Sequence, residues 1–336
     1  MVLTGIGPSG DCVLMIDRGL SKSADTYQVC CPQGARVIVI TDREVSALHY
    51  SALASFFAGT GRKLYPIIID GSEAAKNPDG MRGIYDQLSD IECSPEDVII
   101  AFGGGSAIDL ASFAAATYLG GIPLILMPTS LAAMVDSSVN SRCCLNFRST
   151  RNVISTPSHP RTVLIDPDFL KSLSARQLSN GYAQIIRYGM IADPQLIEMM
   201  STGSADIEVL IGRAINARLK TEREQEEFLS FGQVFGDAIE GHFRFLKYQH
   251  GEALALGMLA VCPTHQMRSL LQQFHLPLKL EGVTPDTIVR RVVKSFQVGS
   301  GPRTLVRVNE IGAPYRELIE KDQMESRITE LISVLA

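Results

Sequence analysis

The sequence predicts an α/β first half with a doubly wound parallel sheet, followed by a helical second half. Three observations carry this. Apolar runs of strand length alternate with segments of helical spacing up to about residue 160. One of those runs, Val98 to Ile100, leads into Gly103-Gly104-Gly105 and then a helix of small residues from Ser106. From about Asp168 onward the apolar periodicity is helical almost throughout. We place the boundary so that residues 1–160 form the α/β domain and 161–336 the helical one, which suits a chain of 336 residues.

In the first half, Cys12 to Ile16 is a short apolar run, and Val37 to Thr41 (VIVIT) is a stronger strand ending at Asp42. A carboxylate there can hold a ribose hydroxyl in a nucleotide-binding fold, or simply cap the helix expected from Arg43 to Phe57. Leu64 to Asp70 is the next strand. The loop after it carries Glu73 and Lys76, and Met81 to Ser89 has helical spacing. Asp97 to Ala101 feeds the glycine turn. Three consecutive glycines cost backbone entropy, and a helix N-terminus favours an anion, so the turn reads as a phosphate or dinucleotide cradle; a plain tight turn is the alternative. Pro123 to Met127 and a Pro128-Thr129-Ser130 turn follow.

The stretch from Asp136 to Asn152 is polar and reads as a loop with Arg142, Arg148 and Arg151, either an anion clamp or a solvated surface. Thr162 to Asp166 is the last strand of this half. The second half shows helical spacing at Leu178–Met190, Pro194–Met200, Ile207–Phe228, Phe235–Phe245, Glu252–Gln272, Pro285–Ser295 and Gln323–Leu335. Leu305–Val308 is a possible short strand, and the charge run Arg218–Glu227 reads as an exposed helix face.

Composition excludes several classes. The net charge is −5 with no dense Lys/Arg stripe, which argues against nucleic acid. Seven cysteines without a C-x-x-C pair fit reduced thiols. With no basic-then-apolar leader visible, a cytoplasmic protein is expected. Leu110 to Val135 lacks charge, but its glycines, prolines and hydroxyls point to a buried helix and strand, not a membrane span. Of the six histidines, His250, opening His-Gly-Glu-Ala before an apolar helix, is best placed to point into a cleft.

Taken together, several motifs resemble dehydroquinate synthase and its relatives, the sugar phosphate cyclases. Gly71 with Glu73 and Lys76 resembles the family's D-G-E-x-x-K loop. Gly103-Gly104-Gly105 with Asp109-Leu110-Ala111 and Ala115-Ala116-Thr117-Tyr118 resembles G-G-G-x-x-x-D-x-A-x-F-x-A-A-T-Y. Pro128-Thr129-Ser130-Leu131 and Val135-Asp136-Ser137-Ser138-Val139 resemble P-T-T-L-L-A-Q-V-D-S-S-V. Residues 180–189 resemble A-G-x-A-E-V-I-K-Y-G, residues 231–240 resemble F-G-H-T-F-G-H-A-I-E, and His250 to Met258 resembles H-G-E-A-x-x-x-G-M.

The resemblance implies a Rossmann-like NAD-binding domain, a helical domain, and an active site between them. It also implies a small-molecule substrate and a homodimer. In the family, NAD oxidises a substrate alcohol, phosphate is eliminated, the ketone is reduced again, and the ring closes, with a zinc ion polarising oxygen. With Asp42 added from its place at the strand end, the candidate cofactor residues are Asp42, Glu73, Lys76, Gly103, Gly104, Gly105, Asp109, Thr129, Ser130 and Asp136.

This chain departs from the family at the zinc ligands. The Glu position is Gln184, the first His position is Gln233, and His250 remains. Amides lack the charge and basicity that hold Zn²⁺, so this set is expected to be weak or empty. The second His of the motif is Asp237. Arg142, Arg151-Asn152 and Arg187 stand at lysine, Lys-Asn and lysine positions; Gly120 and Glu226 stand at arginine positions. Arg142, Arg151, Asn152, Arg187 and Asp237 are therefore expected to form a rebuilt catalytic pocket. The reading is an NAD-binding relative acting on a small polar or phosphorylated sugar-like substrate with altered, zinc-independent chemistry. The alternatives are a catalytically inactive scaffold or partner subunit, and an NAD-dependent alcohol or polyol dehydrogenase.

Overall fold

A computed structural model describes residues 2–6, 12–23, 26, 30–31, 34–296 and 303–336. The chain divides into two compact units, Met1–Ser174 and Ala175–Ala336.

The first unit holds a seven-stranded sheet in the order β1-β2-β9-β6-β5-β3-β4. The strands are β1 (Val2–Ile6), β2 (Cys12–Ile16), β3 (Val37–Asp42), β4 (Leu64–Ile69), β5 (Val98–Gly103), β6 (Leu124–Pro128) and β9 (Thr162–Ile165). Every pairing is parallel except β1 with β2. The central strands β5 and β6 are buried along their whole length, as expected of strands covered on both faces. β4 alternates buried and exposed residues and contains Pro66, which its edge position tolerates.

The chain runs outward from β3 to β4, then crosses back to β5 and continues away through β6. β3 and β5 are therefore neighbours whose connections leave in opposite directions. The crevice at their carboxyl ends is the usual ligand position of such sheets. Asp42 and Gly103 stand at those two ends.

A helix opens at Arg43–Val45, passes through a π-type turn at Ser46–Tyr50 and continues over Ser51–Gly59, together α1. It is followed in this unit by α2 (Pro78–Asp90), α3 (Gly105–Thr117) and α4 (Leu131–Val135). The polar stretch read as a loop contains instead a β-hairpin, β7 (Arg142–Phe147) with β8 (Thr150–Pro157). Its polar residues hide the pattern: Cys143 to Asn146 are buried, while β8 is mostly exposed. The uncharged stretch 110–135 resolves into most of α3, then β6 and α4. Among the described residues, no helix is long and apolar enough to cross a membrane.

The second unit contains α5 (Ala175–Ala192), α6 (Pro194–Thr202), α7 (Ile207–Gln225), α8 (Gln233–His242), α9 (His250–Val261), α10 (His265–Gln273), α11 (Pro285–Phe296) and α12 (Met324–Ile332). The single helix expected over Glu252–Gln272 is two. Pro263 has no N–H to continue the ladder, and Thr264 caps α10 by accepting from the Met267 N–H at 3.1 Å. The possible strand at 305–308 is a full hairpin, β10 (Arg303–Glu310) with β11 (Ala313–Ile319). The charge run is exposed from Arg223 to Glu227, but Arg218 is buried and bonds Glu222 at 2.9 Å.

α9 is buried from Ala253 onward and forms the axis of this unit. α8 packs closely on it because both carry glycine at the contact. A Cβ at Gly236 would lie 3.2 Å from the Leu254 backbone, and one at Gly257 would overlap the Gly232 carbonyl. That close approach sets residues 237 and 240 of α8 beside the start of α9.

Candidate functional site

In the first unit Asp42 and the glycine turn meet at the β3/β5 crevice. Asp42 accepts from the Val45 N–H at 2.9 Å and so does cap α1. The same carboxylate lies against the glycine turn: a Cβ at Gly103 would come 3.0 Å from its Oδ2 and 2.7 Å from Ala107. A Cβ at Gly105 would come 2.8 Å from the Ser137 hydroxyl. Gly103 therefore has no room for a side chain, whereas at Gly105 the Ser137 hydroxyl would have to rotate away.

Gly104 is different. Its backbone is extended (φ −74°, ψ −178°), open to any residue, and a Cβ there would meet nothing nearer than Ser130 Oγ at 3.7 Å. It is the N-cap of α3, and no side chain among the described residues caps that helix. The first-turn N–H groups of α3 are left without a side-chain cap, beside the open space at Gly104. An anion with a close backbone approach fits that space. Thr129 closes the turn from the other side, its N–H donating to the Gly103 carbonyl at 2.9 Å. Ser130 caps α4, accepting from the Ala133 N–H at 3.3 Å. Asp136 ends α4, half-buried.

Glu73, Lys76 and Asp109 do not line the crevice separately; they join residues of the hairpin in one buried network. Lys76, 1% exposed, donates to Asp109 Oδ2 at 2.8 Å and to Asn152 Oδ1 at 2.7 Å, and lies 3.2 Å from Glu73 Oε1. Arg151 donates to Glu73 Oε1 at 3.2 Å, and the Ser106 hydroxyl to Glu73 Oε2 at 2.7 Å. Asn146 donates to Glu73 at 3.0 Å and accepts from the Asn152 N–H at 2.9 Å. Asn152 takes a left-handed conformation (φ 53°) to do so, which asparagine tolerates better than most residues.

Two cations face two carboxylates, so the network is close to neutral. Burial opposes charge on Glu73, yet Lys76 and Arg151 outweigh it and hold the carboxyl well below the usual range. Burial likewise opposes charge on Lys76, but Asp109 and Glu73 hold its ammonium above its ordinary value.

The three arginines of the hairpin do not converge. Arg142 lies exposed at one end, bonded across the hairpin to Ser155 Oγ at 2.7 Å. Arg148 sits at the turn, stacked on Phe147 with 5.4 Å to the ring centroid. At about 3.3 Å per strand residue these two are on the order of 15–20 Å apart. Arg151 alone joins the network.

In the second unit, Gln184, Arg187, Gln233, Asp237 and His250 come from α5, α8 and α9. Arg187 donates to Gln233 Oε1 at 3.0 Å, to the Leu229 carbonyl at 3.2 Å and to the Tyr188 hydroxyl at 2.7 Å. Gln233 in turn donates to Asp237 Oδ1 at 2.6 Å. His250 Nδ1 and Glu240 Oε2 are 2.9 Å apart. Ligand atoms of Asp237, Glu240 and His250 all lie within 4.8 Å of one another. Gln184 is 1% exposed, and neither atom of its amide has a hydrogen-bonding partner among the described residues.

Sequence reasoning overlooked Ser106, Asn146 and Glu240. Glu240 was detectable: Gln233, Asp237 and Glu240 stand at i, i+4 and i+7, one face of a helix. Asn146 gave no signal, because Glu73, to which it donates, lies 73 residues away.

Two family models match consecutive stretches, 3-dehydroquinate synthase N-terminal over residues 66–180 and 3-dehydroquinate synthase C-terminal over residues 181–295. The chain belongs to the dehydroquinate synthase superfamily. Among curated members it is 28% identical over 334 residues to the 3-dehydroquinate synthase of Clostridium acetobutylicum, covering 92% of this chain and 94% of that one. It is 29% identical over 336 residues to the 3-dehydroquinate synthase of Enterococcus faecalis strain OG1RF, covering 93% and 94%. Among solved structures, it superposes on 2-epi-5-epi-valiolone synthase from Streptomyces hygroscopicus subsp. jinggangensis with a TM-score of 0.83, at 23% identity over 96% of both chains. A 2-deoxy-scyllo-inosose synthase gives 0.83 at 19% identity over 98% and 99% of the chains. Glycerol dehydrogenase from Schizosaccharomyces pombe gives 0.67 at 16% identity over 96% and 89%. At these identities the structural matches speak to the fold.

The resemblance places Gln184, Gln233 and His250 at the family's zinc positions, so two amides and one imidazole stand there. Arg187 already engages one lone pair of the Gln233 amide oxygen, and Gln184 offers only a neutral amide. Gln184, Gln233 and His250 as arranged do not fit Zn²⁺.

Proposed function

We propose that the first unit binds NAD and that the protein acts on a small polar or phosphorylated sugar-like substrate, without the zinc set of its relatives. Gly104 is the observation that carries the cofactor reading: the fold has room for a side chain there, and a pyrophosphate needs that room. The 2-epi-5-epi-valiolone synthase structure holds NAD⁺ and Zn²⁺ and the 2-deoxy-scyllo-inosose synthase structure NAD⁺ and Co²⁺, which supports the same reading. Gly103, Gly104, Gly105, Thr129 and Ser130 would hold the pyrophosphate, and Asp42 a ribose hydroxyl. Bound NAD would accept and return a hydride.

The chain's own groups take the remaining work. Arg187 carries a fixed positive charge beside Gln233, suited to a substrate anion or a developing oxyanion. Asp237 and His250 can move protons. Arg151 and Asn152 are built into the Lys76 network and act by holding it. A small-molecule substrate and assembly as a homodimer belong to the same proposal, the latter checked by light scattering on the eluted protein.

The test is to incubate the protein with NAD and a panel of phosphorylated sugars. Released phosphate, transient reduced nicotinamide and a cyclised product by mass spectrometry are followed. Turnover lost in Asp237→Asn supports the proposal. A second reading, a scaffold without turnover, is favoured by Gln184 and Gln233 standing where charged or basic ligands would be. NAD binding without any product would support it.

A further inference from the structure

We propose that the outer edge of β11 and the facing side of α12 form a docking groove for an extended segment of a partner protein. The segment adds to β11 as a third, antiparallel strand and carries an aliphatic residue between two basic ones. The groove lies wholly in the second unit, and the inference is independent of NAD binding and of turnover.

β11 pairs only with β10, and the register shows which of its backbone groups are unused. Pro314 stands opposite Val308 and has no N–H to give the ladder, so it occupies a position whose backbone points away from β10. The alternation then turns the N–H and C=O of Arg316 and Leu318 outward as well. Among the described residues no backbone group beyond the hairpin meets them.

Edge strands are usually guarded by charged side chains or by a covering element. Here the charges of β11 are engaged elsewhere. Arg316 pairs with Glu227 and lies 5.8 Å from the ring centroid of Phe228. Glu317 accepts from Arg307 at 2.7 Å and from Arg327 at 2.5 Å. Leu318 is left 66% exposed on the open edge.

α12 supplies the other wall. Gln323, Ser326, Arg327 and Glu330 follow i, i+3, i+4 and i+7, one face of that helix, and with residues 317–319 they line a cleft of about 330 Å³. The face is roughly 10 Å long, the span of about three extended residues.

The chemistry of the walls selects the occupant. Glu317 turns toward Arg327 on α12, so Leu318 turns to the opposite face. In an added strand, the residue opposite Leu318 shares that face and meets an aliphatic side chain. Its two neighbours face α12. From Glu317 to Glu330 the chain carries five carboxylates and two cations, and Glu320, Asp322, Glu325 and Glu330 are exposed. Arg327, one of the cations, is already shared between Glu317 and Glu330. Basic side chains on the incoming strand complement this surface, and acidic ones are repelled.

The experiment titrates the full-length protein into the fluorophore-labelled, end-blocked peptide Thr-Lys-Val-Lys-Thr and reads fluorescence anisotropy. The expected result is saturable binding with a Kd below about 1 mM, with amide exchange of β11 slowed at saturation. N-methylation of the peptide's valine removes a ladder donor and should weaken binding at least ~10-fold. The same loss is expected for Thr-Glu-Val-Glu-Thr. Glu330→Lys, at a side chain 69% exposed, should weaken the basic peptide several-fold without unfolding the protein, which a melt checks. No saturable binding at several millimolar peptide would overturn the proposal. Equal binding of the N-methylated or the acidic peptide would also overturn it, because neither strand addition nor charge would then be at work. Sedimentation showing that copies of the chain associate through this edge, and separate in Leu318→Lys, would give the groove to a second copy and overturn it too.

Discussion

Arg187 donates to the side-chain oxygen of Gln233 at 3.0 Å, so a guanidinium holds the amide that stands where the resemblance assigns a metal ligand. Gln233 turns its amide nitrogen to Asp237 at 2.6 Å. The result is a neutral relay between a fixed cation and a carboxylate.

This arrangement predicts how the family's site can be restored. Gln233→His alone supplies a basic nitrogen beside a guanidinium and should gain little zinc affinity. Adding Gln184→Glu places a negative charge in the site. A unit charge is worth about 4 kcal/mol at 4 Å under an effective dielectric constant of about 20. The double variant should therefore bind Zn²⁺ at least ~100-fold more tightly than the wild type. Competition with a chromophoric chelator measures it, and equal affinities would contradict the relay.

The Lys76 network predicts a stability loss with a defined pH signature. Removing one partner of a buried ion pair leaves the others uncompensated, so Glu73→Gln should cost about 3 kcal/mol at neutral pH. The Glu73 pKa is depressed in the folded protein. Its contribution is present above the unfolded value of about 4.3 and is lost as pH falls toward the folded value. Urea midpoints measured from pH 7 downward should therefore fall less steeply for Glu73→Gln than for the wild type. Parallel acid limbs would show that Glu73 is not held by Lys76 and Arg151.

The thiols predict a chemical quietness. All seven cysteines are buried and unpaired with one another. Burial, with help from nearby Asp109, pushes Cys143 up to about 12 and Cys144 to about 11. Burial alone takes Cys12 to about 11. Thiolate, the reacting form, is therefore scarce near neutral pH. An aromatic disulfide reagent should label fewer than about one thiol per native chain and all seven after unfolding in urea. Rapid native labelling of Cys143 or Cys144 would contradict the docking of the β7–β8 hairpin.

What was legible in the sequence was what repeats at short range. The runs VIVIT and VIIAF read as buried strands because β-branched and apolar residues fill both faces, and the triple glycine marked the β5–α3 turn. The hairpin at 142–157 was hidden because its buried strand carries cysteines and Asn146, and its other strand faces solvent. The burial of Lys76 could not be read at all. Its hydrogen-bond partners, Asp109 and Asn152, lie 33 and 76 residues away, and only the folded unit brings them together. The motif alignment placed Asp237 and His250 in one neighbourhood, but the role of Glu240 needed the glycine contacts that press α8 onto α9.

Calorimetric titration with NAD of the wild type and of Gly104→Val tests the central claim most directly. The Gly104 backbone accepts a side chain without strain and its Cβ meets only an ordinary contact with Ser130, so the variant should melt within about 1 kcal/mol of the wild type. The account predicts that a single NAD binds per wild-type chain and that Gly104→Val binds at least ~10-fold more weakly, a loss of about 1.4 kcal/mol or more. No heat with millimolar NAD, or equal binding by the folded variant, would contradict it.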